Sequence, residues 1–165
     1  MLKSWIVFIL CFASFCFSSS EVVFLEVRNE TGNLVVLEPD FPYAHVGILR
    51  NEKVLHSHPK TGVEWSDLKE LEQFGVIKES YRVEPAQGML EVADQWLGRS
   101  YDSLFSWNDE QFYCSELVAK ILGIAPEPMH FDPQLWPPGF AHLEGKPGIS
   151  PGKIFRKING RDFSF

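Results

Sequence analysis

The chain has 165 residues, 45% hydrophobic and 22% charged, with fourteen Phe and five Trp. That is about one domain's length, with enough apolar material for a core and too much for a disordered segment. Its formal charge of -7 excludes a nucleic-acid scaffold, which needs a basic stripe for phosphates. The sequence has no glycine-rich phosphate loop, dinucleotide fingerprint or CxxC pair, which argues against nucleotide binding, zinc ribbons and thioredoxin-like exchange.

The chain opens with Lys3, then an apolar run from Trp5 to Phe17 broken only by Ser14, then Ser18, Ser19 and Ser20. A charged start, a short apolar run and small residues describe a cleaved export signal over residues 1–20. The run falls short of the roughly twenty residues that span a bilayer. A single domain over residues 21–165, secreted or periplasmic and without a stable membrane span, is therefore expected. Cleavage removes Cys11 and Cys16 and leaves Cys114 with no partner for an internal disulfide.

Val22 to Val27 and Leu34 to Leu37 read as β-rich runs around the turn residues Glu30 to Asn33. Asn29-Glu30-Thr31 is a glycosylation sequon, meaningful only in a host that secretes through an endoplasmic reticulum. Ala44 to Arg50 and Lys53 to His58 read as a hairpin closed by Asn51-Glu52. Ser66 or Asp67 caps a short helix through Phe74, stopped by Gly75. Alternation from Ile77 to Val83 gives a half-buried strand. Pro85 suits the start of a helix that carries Met89, Leu90, Ala93, Trp96 and Leu97 and ends at Gly98.

Residues 99–112 form a loop. Cys114 then opens a helix with Leu117, Val118, Ile121 and Leu122 at helical spacing, and Gly123 closes it. The proline-dense tail from Pro126 to Pro151 is mostly loop, and Lys153 to Ile158 is expected to return as a strand. Strands and helices in blocks, without regular βαβ alternation, indicate an α+β fold.

The chemistry centres on Cys114. At a loop-to-helix junction, free N–H groups and the helix dipole favour an anion, so the thiol is expected to ionise more easily and act as a nucleophile. The same N–H groups can hold an oxyanion. A base is needed, and three of the five histidines, His45, His56 and His58, fall in the hairpin. With a two-residue turn, His45 lies opposite His58 and diagonal to His56, and all three share a face that Gly47 leaves open. One imidazole can take the thiol proton while a second fixes its tautomer. The cluster also has a metal reading, with His56 and His58 on one strand and His45 as third ligand. Tyr101, Trp107 and Tyr113 either line the cleft or fill the core. Glu116 in the first helical turn has a dipole or capping role without catalysis.

His45-Val46-Gly47-Ile48 and its hairpin resemble the histidine segment of NlpC-type cysteine peptidases. Here that segment precedes the cysteine helix, as in the circularly permuted branch. Gly98-Arg99-Ser100-Tyr101-Asp102, Phe105-Ser106-Trp107-Asn108-Asp109-Glu110 and Tyr113-Cys114-Ser115-Glu116-Leu117-Val118 resemble the YiiX/YebB-like group of that branch. The resemblance covers residues 34–123. It implies a permuted papain-like fold, with a small antiparallel sheet packed against the cysteine helix. It implies Cys114 as nucleophile, His45 as general base and His56 as the orienting third group, where close relatives often carry Glu. The ladder drawn from the residues also admits His58. The family register, which usually has a longer turn, favours His56.

The resulting expectation is an exported cysteine hydrolase that cleaves amide bonds through an acyl-thioester, with no cofactor. Its substrate would be a cell-wall peptide or an amide-linked lipid. The alternatives are a thiol-dependent lipid acyl hydrolase or acyltransferase on the same site, a binding module that keeps the fold, and a metal-dependent hydrolase on the hairpin histidines.

Overall fold

A computed structural model describes residues 19–160. Its centre is an antiparallel five-stranded sheet of order β4-β3-β2-β1-β5. The strands are β1 (Ser20–Val27), β2 (His45–Arg50), β3 (Lys53–His58), β4 (Gly62–Asp67) and β5 (Gly75–Val83). β1 lies between β2 and β5, and its Val22, Val23, Phe24 and Leu25 are all fully buried. A run buried on both sides reads as continuous apolar sequence. Val22 and Phe24 join the main core and Val23 and Leu25 a second cluster, as a two-residue period requires. The expected leader lies outside the described residues up to position 18. Ser20, its last residue, is the first of β1 and pairs with Val83.

Leu34 to Leu37 is not a strand. Only isolated bridges at Leu34 and Glu38 mark that segment, because β2 and β5 already occupy both edges of β1. The β2–β3 hairpin has the two-residue turn, with Asn51 and Glu52 both left-handed at φ 51 and 63. Sequence reading missed β4. It runs back along β3, its first residue Gly62 has φ +81, and a Cβ there would strike the carbonyl of Arg99. That close approach ties β4 to the segment leading to the cysteine, through Val63 N–H to Arg99 O (2.9 Å) and Gly98 N–H to Val63 O (2.8 Å).

Helix α1 (Leu68–Phe74) starts at the expected Asp67 with a capping box closed by Glu70, and buries Leu71 in the second cluster. Helix α2 (Met89–Ala93) begins after Gly88 rather than at Pro85, and a 3₁₀ turn to Trp96 follows. Helix α3 (Cys114–Leu122) ends on left-handed Gly123 as expected. Leu117, Val118 and Ile121 of α3 pack with Val46, Ile48 and Leu55 of the sheet.

The tail holds a minimal ribbon, β6 (Glu127–Pro128) with β7 (Pro147–Gly148), and a 3₁₀ segment Pro138–Leu143. It ends in helix α4 (Pro151–Ile158), not the expected strand. Ser150 accepts from the Lys153 N–H, and Pro151 is pre-set for a first helical turn. Ile154, Phe155 and Ile158 recur at helical spacing against the core. Among the described residues no helix is long and apolar enough to cross a membrane.

Candidate active site

Cys114 is the first residue of α3, after Tyr113 in extended conformation. The strand-like segment before it is held firmly. Ser57 Oγ donates to Phe112 O (2.6 Å), Asp102 N–H also donates to Phe112 O (3.2 Å), and Phe112 N–H donates to Ser100 O (3.2 Å). The buried Asp102 carboxylate accepts from Leu104 and Ser106 N–H at 2.8 and 2.6 Å, which orders the loop. From the other side, Ser115 Oγ donates to Ile149 O (2.8 Å), and Ile149 N–H donates to Tyr113 Oη (3.1 Å). The start of α3 is thus stitched to both the sheet and the tail.

His45 opens β2 and is buried. Its Nε2 lies 2.9 Å from Nδ1 of His56, with the rings perpendicular at 88°. Since Nε2 is engaged, Nδ1 is the ring nitrogen left for other chemistry. His56 Nε2 lies 3.0 Å from Ser66 Oγ on β4. Phe74, at the end of α1, stands edge-on to His45 and to His58 at 4.7 Å. Gly47 does not leave an open face. Val54 and the Cβ of His56 fill the space a side chain would need. His56 meets His45 across the diagonal of a two-residue hairpin, so the longer turn expected from the family register is not present. His58 accepts from Lys60 N–H (3.2 Å) and does not line the cavity that His45 shares with Cys114.

That cavity has a volume of about 610 Å³, and both His45 and Cys114 line it. Tyr101 and Tyr113 line it, whereas Trp107 packs at the core under the Lys120 ammonium. The apolar lining includes Leu37, Phe105, Met129, Phe131 and Trp136. Glu116 is fully buried, accepts from Asn108 N–H (3.1 Å) and pairs with Lys120 (2.9 Å).

Burial dominates the titrations. It pushes the Cys114 thiol up to about 11, against the N–H groups of Val46, Ser115 and Cys114 itself and the Ser115 hydroxyl. The easier ionisation expected from the helix start is therefore opposed by burial of the sulfur. The dipole is outweighed because the sulfur is removed from water. Burial likewise holds His45 well below the usual imidazole range, and the neighbouring His56 and His58 add to it. His56 is lowered to about 4 by burial, with Glu64 opposing. Burial thus favours the neutral form of both the thiol and the imidazole.

Residues 18–155 match the model of the permuted papain-like amidase enzymes of the YaeF/YiiX type, family C92. The chain belongs to that family. The permuted papain-like order explains why the histidine strand precedes the cysteine helix, on an α+β framework. YiiX of Escherichia coli (strain K12), an uncharacterized protein, is 28% identical over 113 residues, which span 62% of this chain and 56% of YiiX. The match thus spans little more than half of that relative. The crystal structure of the metalloprotein YiiX from Escherichia coli O157:H7 has the same fold, with a TM-score of 0.58 over 84% of this chain and 91% of that one at 22% identity.

In this chain, the hairpin histidines do not converge as ligands. Nitrogens of His45 and His56 face each other, the second His56 nitrogen faces Ser66, and His58 is turned to Lys60. Among the described residues no three His, Cys, Asp or Glu side chains are grouped to hold a metal ion. The metal-ligand expectation for the hairpin is therefore set aside. Ser66, read from sequence only as a candidate helix cap, and Glu64 were not placed at the site because β4 was not read. The alternation Val63, Trp65 against Glu64, Ser66 was its only signal.

Proposed function

We propose that this chain is an exported thiol amidase with Cys114 as nucleophile, His45 as general base and His56 as its orienting partner. The observation that carries the reading is that Cys114 and His45, brought from different elements, line one cavity while His45 Nε2 is engaged by His56. Export rests on the leader-like run Trp5 to Phe17.

With both groups neutral at rest, proton transfer accompanies attack. The Cys114 sulfur forms a bond to the substrate carbonyl carbon, its proton passes to His45 Nδ1, and the carbonyl electrons move onto oxygen. The free N–H groups at the start of α3 would hold that oxyanion. Collapse of the tetrahedral adduct breaks the C–N bond, and the leaving amine takes the proton from His45. Water, deprotonated by His45, then hydrolyses the acyl-thioester and frees the carboxylic acid and the thiol. His56 Nδ1 accepts from His45 Nε2–H throughout and stabilises the transient imidazolium. The hairpin donors do not fit a metal, and no step is routed through one.

The walls of the cavity favour an amide-linked acyl chain over a cell-wall peptide. They are mainly apolar and aromatic, with Asp132 and His130 among the polar exceptions, and the Lys and Arg side chains of the lining are already paired, Arg156 with Glu38 and Lys153 with Glu127. A thiol acyl hydrolase or acyltransferase would use the same walls and the same thioester.

The test is a series of N-acyl p-nitroanilides, from acetyl to lauroyl, beside a muropeptide, with intact-mass detection of the acyl-enzyme. The wild type should carry the acyl group and prefer the longer chains, and Cys114→Ala should carry none and lose about 10³-fold or more in rate. Turnover of the muropeptide alone would remove the lipid branch. Undiminished turnover by Cys114→Ala would remove the whole reading.

A further inference from the structure

The imidazole pair does not stop at His56. In the β3–β4 ladder His56 pairs with Glu64 and Val54 with Ser66, so alternate residues of the edge strand bring two polar side chains to the histidine. His56 Nε2 is 3.0 Å from Ser66 Oγ, and Ser66 Oγ is 3.4 Å from Glu64 Oε1. The same carboxylate oxygen is 3.8 Å from His56 Nε2. His56 and Ser66 are buried, whereas Glu64 is half-buried at the mouth of a separate cavity that it shares with His58 and Glu70. The chain His45–His56–Ser66–Glu64 thus runs from the cysteine cavity across β3 to the edge strand β4.

Such a chain has two possible polarities, and they differ in consequence. If the Ser66 hydroxyl donates to His56 Nε2, then His56 carries its proton on Nδ1 and gives it to His45 Nε2. His45 must then hold its own proton on Nδ1 and has no lone pair for the thiol proton. If Ser66 instead donates away from His56, its oxygen accepts from His56 Nε2–H. His56 Nδ1 then accepts from His45 Nε2–H, and His45 Nδ1 is a free base. A rotation of the hydroxyl and a change of tautomer on each imidazole separate the two states. A carboxylate offers only acceptors, so Glu64 beside Ser66 Oγ selects the second.

We propose that Glu64 and Ser66 are positioning residues that fix the polarity of this four-membered relay and thereby keep His45 Nδ1 unprotonated. The proposal rests on the reading of Cys114 and His45 as nucleophile and base. It gives the site the carboxylate that a histidine at position 56 had seemed to deny it, one hydroxyl further out.

The experiment uses the full chain labelled with ¹⁵N-histidine near neutral pH, with tautomers read from long-range proton–nitrogen correlations. Single substitutions of His58, His130 and His142, which lie outside the relay, assign the signals. The same samples are assayed for the burst of p-nitrophenol from p-nitrophenyl hexanoate. The wild type should show Nε2–H on both His45 and His56. Ser66→Ala and Glu64→Leu should each give mixed His45 tautomers and lower the burst rate about tenfold or more, with little change in the ester concentration at half-saturation. Ser66→Thr, which keeps the hydroxyl, should restore both readouts.

An Nδ1–H tautomer on wild-type His45 overturns the relay, as do wild-type tautomers and rates in both Ser66→Ala and Glu64→Leu. A wild type with no burst overturns the thiol amidase reading instead. The nitrogen spectra then still decide the polarity of the relay on their own.

Discussion

A thiol pushed up to about 11 and an imidazole held below its usual range describe a site that rests uncharged. Alkylation of Cys114 by iodoacetamide should therefore climb with pH through the neutral range, whereas a resting ion pair would give a plateau below pH ~7. The acid limb of kcat/KM should lie below the ordinary imidazole value, because His45 stays a competent base to lower pH than a free histidine. The same burial has a cost in stability. His56 titrates near 4 in the fold and near ~6.5 unfolded, so its contribution is complete above the unfolded value and lost as pH falls towards the folded one. The loss is on the order of 3 kcal/mol. Urea melts of wild type and His56→Gln at about pH 4 and about pH 7 should show a smaller pH dependence in the variant. Sequence reading found the candidate residues from their types and spacing, but not their protonation, since the helix-start argument for Cys114 is local and desolvation is not.

At the scale of elements, the well-read pieces are those whose signals lie within a few residues. The capping box Asp67–Glu70 fixes α1, Gly123 ends α3, and two turn residues close the hairpin. Glu52 pays for that turn with a left-handed backbone, which costs a side-chain-bearing residue about 1 kcal/mol. Glu52→Gly should therefore gain about 0.5–1 kcal/mol in chemical denaturation without moving the register. Ser150→Ala should lose about 1 kcal/mol by removing the cap of α4. The two misread elements failed for different reasons. Lys153 to Ile158 carries an N-cap and Pro signal just upstream that outweighs its strand-like ending. β4 is a short edge strand, and its partner β3 and the Arg99 contact decide it more than its own composition.

Over the whole molecule, the tail makes the cavity what it is. Phe131, Trp136 and Phe140 pack on Phe105 of the loop before α3, and Trp136 Nε1–H donates to Leu37 O (2.8 Å) from the segment after β1. Trp136→Ala should raise KM for a lauroyl amide at least about tenfold and leave an acetyl amide nearly unchanged, as measured across the p-nitroanilide series. By itself the sequence determined the local geometry: a cysteine at a helix start, histidines on one hairpin, caps and turns, and through its motif order a permuted papain-like expectation. Those are decided by neighbours within about one turn or one strand pair, where hydrogen bonding and backbone sterics act. Only the tertiary structure decided that His45 reaches the cavity of Cys114, that His56 is answered by Ser66 and Glu64, and that both partners rest neutral. Burial and cross-strand pairing join residues far apart in the chain, and no short window of sequence contains both ends of such a contact.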